Sequence, residues 1–394
     1  MSSIDEIKKK IKSNLYQFIN SNDIKFSNNV IDGSSPPSVF VGEFGYPNVR
    51  IGPMIPPYHG ETAILDRPEL WTGKSLEEIV NYRINLLKGI KILKVNDLSG
   101  RYIEYLQEMS LSKKVVDSTM TLEKIPKYLG ETSLTLKESE EIPTLFSAPL
   151  VDFKIVSSTS DRNIEKKYYD DDIHASDAII DLYENSVDLS QISKVLSMGM
   201  LGRKKNRRLV PTKWSITAAD DILSQYLINK IKDNPPLDNY FVFNFSHLDN
   251  YYSLIMIPDD VWSFEMIESW IDTNGRIHIG SDYESGKRID HYPSIAGAYF
   301  AARLAVAEYL FKIRKKASVL ILREIHPEYF VSLGVWQIRE GIRECLRKKG
   351  RMFETFHPAL SYGISKTSLS EKEWTKNSST IKNNKQTRMT DYTI

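Results

Sequence analysis

Apolar residues at spacings of three and four mark the opening of the chain. Ile4, Ile7, Ile11, Leu15 and Phe18 fall on one stripe and predict an amphipathic helix within residues 1–27. The pattern breaks between Asn28 and Gly60, where Ser34-Ser35-Pro36-Pro37, Gly42, Gly45, Pro47, Gly52, Pro53, Pro56 and Pro57 surround a short β-like run, Val39 to Val41. So many fixed or permissive torsions predict shaped loop and short strand. Phe40, Phe44, Tyr46, Val49, Ile51 and Met54 lie between them and argue for packing over a disordered linker. Helix returns at Ser75, where Ser75-Leu76-Glu77-Glu78 has capping-box spacing and Leu76, Ile79, Val80, Arg83, Leu87 and Ile90 share a face. Tyr102 to Met109 reads as helix, Lys114 to Thr121 and Leu150 to Val156 as strands, and the polar stretch 131–142 as a surface excursion.

Helical period recurs from His174 to Tyr183, behind an acidic run, and from Ala218 to Lys232, with Ser215 or Thr217 as the expected cap and Asn234-Pro235-Pro236 as the stop. Tyr240 to Phe245 and Tyr251 to Ile257, separated by five residues that include Asp249 and Asn250, predict a β-hairpin. A long helix over Ile295 to Lys315, a buried strand over Ala317 to Leu322 and a helix from Gly334 to Lys348 follow. Hairpin-like strands mixed with helices predict an α+β fold, a mixed, largely antiparallel sheet packed with helices. The body is expected over residues 28–360, with room for an internal division near 150–200. From Ser361 serine, threonine, asparagine and lysine dominate, which predicts a flexible tail over 361–394.

Composition narrows the function classes. Of 394 residues, 41% are hydrophobic and 26% charged, as in an ordinary globular protein. Lysine and arginine total 52 against 51 acidic residues, so no whole-molecule field draws the chain to nucleic acid or membrane, and any such attraction is local. The charged start lacks a signal-peptide core, and no apolar run approaches the roughly 20 residues needed to cross a bilayer. The single cysteine, Cys345, excludes an intramolecular disulfide and a multi-cysteine zinc site and suits a reducing interior. These features together predict a cytoplasmic protein without a membrane partner.

Four stretches carry candidate chemistry. The end of the chain, Gln386-Thr387-Arg388-Met389-Thr390-Asp391-Tyr392-Thr393-Ile394, resembles the motif by which replication and repair proteins bind the sliding clamp PCNA. One helical turn would put Met389 and Tyr392 in an apolar pocket and Gln386 in a polar one, with Thr393 in place of the second aromatic. The second stretch, Gly202 to Thr217, carries Arg203, Lys204, Lys205, Arg207, Arg208 and Lys213 ahead of a helix start with Ser215 and Thr217, a pattern suited to phosphates of DNA or a nucleotide. Trp214 offers a ring on which a base can stack. The competing reading is a solvated basic loop, and the chain holds no P-loop and no GxGxxG. Third, His174 and Asp177, three apart behind Asp170-Asp171-Asp172, suit metal binding or acid-base work, or else an ordinary acidic helix start. Fourth, Arg323-Glu324-Ile325-His326-Pro327-Glu328-Tyr329 stands at the end of an apolar strand, as a site or as a structural ion network; Cys345, with no base partner, is not a nucleophile candidate.

Several words in order resemble one known family. Val41-Gly42-Glu43-Phe44-Gly45-Tyr46-Pro47-Asn48-Val49, Ile173-His174-Ala175-Ser176-Asp177-Ala178, Leu209-Val210-Pro211-Thr212-Lys213-Trp214-Ser215-Ile216-Thr217 and Leu333-Gly334-Val335-Trp336-Gln337-Ile338-Arg339 are similar to the archaeal NreA DNA-repair family. The resemblance runs from about Gly42 to Arg347. It implies a DNA-damage repair protein that engages PCNA through its C-terminal motif, here Gln386, Met389 and Tyr392. Some relatives carry an amino-terminal four-cysteine zinc element, which a chain with Cys345 alone does not. The resemblance supplies neither a reaction nor a cofactor. Two readings therefore stand: a clamp-recruited binding protein with a basic nucleic-acid or nucleotide segment, and a nucleotide- or NAD-binding enzyme whose pocket joins the Gly42–Gly52 loop, the His174–Asp177 turn and Lys213–Thr217.

Overall fold

The computed structural model describes residues 3–26, 29–124, 127–128 and 146–385. The chain divides into two compact units, residues 1–223 with 330–334, and 224–329 with 335–394. The passage from one to the other falls within a helix, beyond the division expected near 150–200. Among the described residues no helix is long and apolar enough to cross a membrane.

The first unit opens with helix α1 (Ser3–Phe26), followed by β1 (Val30–Ser35), β2 (Val39–Val41), β3 (Asn48–Ile55), α2 (Leu76–Ile84), β4 (Leu87–Lys94), α3 (Arg101–Leu111), β5 (Val116–Leu122), β6 (Lys127–Tyr128) and β7 (Phe146–Ser157). Helices α4 (Arg162–Tyr169), α5 (Ala175–Glu184), α6 (Leu189–Ser197) and α7 (Thr212–Ile231) complete it, α7 running on into the second unit. The sheet order is β1-β5-β7-β4-β3-β2, with β6 beside β7. Only β4 and β7 pair in parallel; the other pairs are antiparallel. At the start of α2 the capping box forms as its spacing predicts: the Glu78 amide donates to Ser75 Oγ, and the Ser75 amide donates to the Glu78 carboxylate. The Gly/Pro-rich segment is ordered, with Val49, Ile51 and Met54 buried.

The second unit holds β8 (Tyr240–His247), β9 (Asn250–Ile257), β10 (Ser263–Ile271), β11 (Ile277–Ser285), α8 (Gly297–Ile313), β12 (Ser318–Ile325), α9 (Trp336–Arg347), β13 (Arg351–Phe353), α10 (Phe356–Ile364), α11 (Glu371–Asn377) and α12 (Ser379–Lys385). Its strands run β11-β10-β12-β9-β8-β13, with one parallel pair, β10 and β12. Strands β8 and β9 form the expected hairpin. Its two-residue turn places Leu248 and Asp249 at φ 53° and 54°, the sign that the strand twist demands of such turns. Every residue of β12 is buried, as befits a continuous apolar run in the middle of a sheet. The α+β class with mixed, largely antiparallel pairing therefore holds, in two sheets.

Alternation along β10 and β12 sends side chains to two faces. On one face Phe264 meets Tyr299 of α8, the Tyr252 hydroxyl donates to Gln337 Oε1 of α9 at 3.0 Å, and Arg323 pairs with Glu268, its register partner. Asn250 Oδ1 accepts two further bonds from the same guanidinium. Arg323 is thus part of a buried structural network.

The opposite face carries Ile267, Leu320 and Leu322 and is covered by the C-terminal helices, with Leu360, Ile364, Leu369, Trp374 and Ile381 in one apolar cluster. Two buried carboxylates of that face pin the covering segment. Glu324 accepts from the Ser368 amide, the Ser368 hydroxyl and the Leu369 amide. Glu265 accepts from Ser378 Oγ, the Ser379 amide and the Thr380 amide at 2.7–2.8 Å. The tail expected from Ser361 is accordingly folded as far as Lys385. The polar average of its composition conceals three anchors, Leu369, Trp374 and Ile381, whose polar neighbours are satisfied by distant carboxylates.

Candidate nucleic-acid interface

The basic segment links α6 to α7 in the first unit. Its backbone is fixed by three bonds: the Lys204 amide to Asp171 O, the Leu209 amide to Val95 O and the Val210 amide to Ser197 O. Gly202, at φ +94°, sits against Ala175, where a Cβ would lie 3.2 Å from the alanine methyl. Arg207 acts as the clasp. Its Nε donates to Gly202 O, Nη1 to Tyr168 O and Nη2 to Asp170 O, at 2.7–2.8 Å, while the guanidinium lies over the Tyr168 ring. Those donors are committed to the protein's own carbonyls. Arg203, Lys204, Lys205 and Arg208 remain exposed.

The acidic turn serves the same structure. The carbonyls of Asp170, Asp171 and Asp172 accept from Arg207, the Lys204 amide and Arg203, and Asp170 Oδ1 closes its own turn by accepting from the Asp172 and Ile173 amides. His174 sits exposed at the N-cap position of α5 without capping it, and Asp177 is exposed in the first turn. Among the described residues no three histidine, cysteine, aspartate or glutamate side chains form a group able to hold a metal ion.

Helix α7 begins earlier than expected, at Thr212, directly after Pro211. Ser215 and Thr217 therefore lie inside it, and their hydroxyls donate backward to the carbonyls of Thr212 (2.8 Å) and Lys213 (3.2 Å). They are not caps and present no helix start to a phosphate. A proline at the entry presets the first helical turn, a signal that outweighs the hydroxyl spacing used to place the cap further on.

The first turn of α7 meets the Gly/Pro-rich loop. Thr212 Oγ1 accepts from the Val41 amide at 3.0 Å, Trp214 Nε1 donates to Glu43 Oε2 at 3.0 Å, and Lys213 Nζ stands 3.6 Å from Glu43 Oε1. Tyr46 packs its ring 5.1 Å from that of Trp214. Phe44 is 79% exposed, Tyr46 43% and Trp214 42%, and Arg50 lies 5.8 Å over the Phe44 ring. Gly45, at φ +89°, makes this turn, since a Cβ there would stand 2.9 Å from Asn48 O. Phe44 and Tyr46 were expected to pack inward with Val49, Ile51 and Met54; instead the tight turn projects them outward. Their position at a glycine-proline turn, off the alternation of the flanking strands, was the available signal.

Three exposed rings thus gather where two segments meet: Arg50 lies over Phe44 on the Gly/Pro-rich loop, and the chain that carries the exposed Arg203, Lys204, Lys205 and Arg208 leads into Trp214. Cations hold phosphates and rings stack on bases, the combination used for single-stranded nucleic acid. Of the remaining candidates, Cys345 is buried, and burial pushes its thiol up to about 12, which keeps it protonated and inert. Gln386, Met389 and Tyr392 lie outside the described residues and follow α12 directly.

The chain matches the family model Archaeal Nre, N-terminal, over residues 8–274 and Archaeal Nre, C-terminal, over 284–392. It is 36% identical to the DNA repair protein NreB of Archaeoglobus fulgidus over 367 residues, 91% of each chain. With NreA of the same organism it shares 33% over 367 residues, covering 91% of this chain and 90% of the relative. With NreA of Haloferax volcanii the identity is 31% over 346 residues, covering 83% and 81%. No solved structure gives a significant match.

Proposed function

Because the chain belongs to the archaeal Nre family, whose similar members are named DNA repair proteins, we propose that it acts in DNA repair as a clamp-recruited nucleic-acid-binding protein. In this reading Gln386, Met389 and Tyr392 bind PCNA, Arg203 and Arg208 contact phosphates, and Trp214 stacks on a base with Tyr46 beside it. The observation that supports the nucleic-acid part is the cluster of exposed rings at Phe44, Tyr46 and Trp214, with Arg50 over Phe44 and exposed cations on the segment that leads into Trp214. Arg207 and Lys213 have supporting roles, the first as clasp of the basic segment and the second as partner of Glu43. The clamp part rests on the motif itself and on its position one residue beyond α12.

Calorimetric titration of PCNA into the full chain and into a version ending at Lys385 tests recruitment. Binding lost on truncation supports it, and equal binding by both moves the contact into the body. For the nucleic-acid face, fluorescence anisotropy with a single-stranded oligonucleotide across a salt series is the measure. Arg203→Ala with Arg208→Ala should lower the salt slope by about 1 to 2, and Trp214→Ala should weaken binding by about 1–3 kcal/mol. Unchanged binding in both variants refutes the assignment.

A further inference from the structure

A cavity of about 630 Å³ opens in the first unit, away from all of those residues. It is enclosed by Pro36 and Pro37 after β1, the turn around Asp66, the Lys113–Val115 connection between α3 and β5, the start of α4, and the connection from α5 into α6. Its volume lies in the range of sites for small molecules and cofactors. The Lys113–Val115 connection is held in place: the Lys113 amide donates to Thr159 O at 3.0 Å, and Gln191 Nε2 donates to Ser112 O at 3.2 Å.

The walls carry Arg67, Lys113, Lys114 and Lys194 against Glu61, Asp66, Asp161 and Asp188, and Arg83 behind Asp66 tips this balance to one positive charge. At the floor, the Asp66 carboxylate receives Arg83, Lys194 and the Ser38 hydroxyl. Burial alone would raise its pKa, but Lys194 and Arg83 outweigh that and hold the carboxyl below its ordinary value. Two cations on one carboxylate leave a positive charge in excess where little water screens it. The other wall carboxylates are largely engaged. Asp188 pairs with Arg67, and Asp161 caps α4 by accepting from the Asn163 and Ile164 amides. At the mouth, Lys113 and Lys114 are exposed and have no ion-pair partner among the described residues, with Glu61 and Asp161 as the acids not matched by a cation. Pro36, Pro37, Val115 and Val187 supply apolar wall, and Asn163 supplies an amide. A bare phosphate ion would leave most of this space and apolar wall unfilled.

We infer that this cavity binds a nucleoside di- or triphosphate, its phosphates at Lys113 and Lys114 and its nucleoside against the apolar and amide wall. The site is independent of the basic segment and of the clamp motif, so it stands or falls apart from the function proposed above. Isothermal titration of ADP, inorganic pyrophosphate and adenosine into the full chain tests it. ADP should bind, pyrophosphate more weakly, and adenosine weakest of all. Lys113→Glu with Lys114→Glu, both in solvent-exposed positions, should lower ADP affinity on the order of 100-fold without changing the melting temperature. Arg203→Ala with Arg208→Ala should bind ADP as the unaltered chain does. Absence of ADP and pyrophosphate binding overturns the inference, as does ADP binding that the double lysine variant retains. Competition with ADP by a 5′-phosphorylated oligonucleotide, but not by its unphosphorylated form, would assign the cavity to a strand end and equally overturn the small-molecule site.

Discussion

Replacing Glu265 by alanine probes how the C-terminal helices are held. In the native fold this buried carboxylate accepts one hydroxyl and two backbone amide bonds from residues 378 to 380. Charge-assisted bonds contribute about 1.5–3 kcal/mol each, so the gross loss is roughly 5–9 kcal/mol. Removing the carboxylate also removes its own desolvation penalty, several kcal/mol, which leaves a net loss of about 3 kcal/mol. Glu265→Gln should cost roughly half as much. Its one carbonyl oxygen can replace Oε2, which takes two of the three bonds, while its amide group faces the Ser379 N–H. Hydrogen exchange of residues 366–385, followed by mass spectrometry, measures the local opening. A loss of about 3 kcal/mol accelerates exchange on the order of 100-fold in the alanine variant, if opening is rapid and reversible. Exchange within about threefold of the unaltered chain would refute the argument that Glu265 pins this segment.

Ending the chain at Lys385 should leave its stability unchanged. Ending it at residue 360, where composition suggests a tail, should unfold the second unit, because Leu369, Trp374 and Ile381 leave its core; circular dichroism melts distinguish the two. Leu248→Asn should stabilise by up to about 1 kcal/mol in denaturant unfolding, since asparagine tolerates φ 53° better than leucine. His59 lies between Asp32 (2.9 Å) and Asp117 (3.2 Å), and the hydrogen bond to Asp32 above all raises its pKa. The same contact lowers the Asp32 pKa, and Asp117 is lowered by Ser34 first and then by His59. The contribution of a raised histidine is full below its unfolded pKa of about 6.5 and is lost as pH rises through the folded value; that of the lowered aspartates is full above about 4 and is lost on acidification. The stability difference between the unaltered chain and His59→Ala should therefore peak between about pH 4 and 6.5 and shrink on either side. A difference flat from pH 4 to 9 would contradict it.

Features legible in the sequence are those whose causes are local. The Ser75–Glu78 capping box needs four adjacent residues, and the β8–β9 hairpin needs two apolar runs and a short gap; both form as read. The start of α7, expected at Ala218, lies six residues earlier at Thr212, because a proline and two hydroxyls gave competing local signals. What remained hidden depends on partners far along the chain. Glu265 and the residues it holds are 113 to 115 positions apart, and Glu324 and Ser368 are 44 apart. Glu265 reads only as a polar residue within a strand, and Glu324, singled out beside Arg323 and His326, gives no local sign that its partners lie in the C-terminal segment. The same holds for Arg207, one of six cations in its stretch, which only the carbonyls of Tyr168 and Asp170 single out as a clasp. The cavity draws its walls from five separate segments, which no motif spans.

The anchoring of α12 alters what a clamp-binding motif would do here. A motif on a flexible stretch of some 25 residues would wander over a radius of roughly 25–30 Å and let its protein adopt many poses on the ring. With folded chain up to Lys385, the residue before Gln386, that slack is absent. A clamp held at Gln386 would meet the second unit at once, so the ring would dictate the orientation of the body and hence which stretch of DNA lies within its reach. Inserting a glycine-serine spacer after Lys385 would preserve affinity for PCNA and relax that orientation, which separates recruitment from placement.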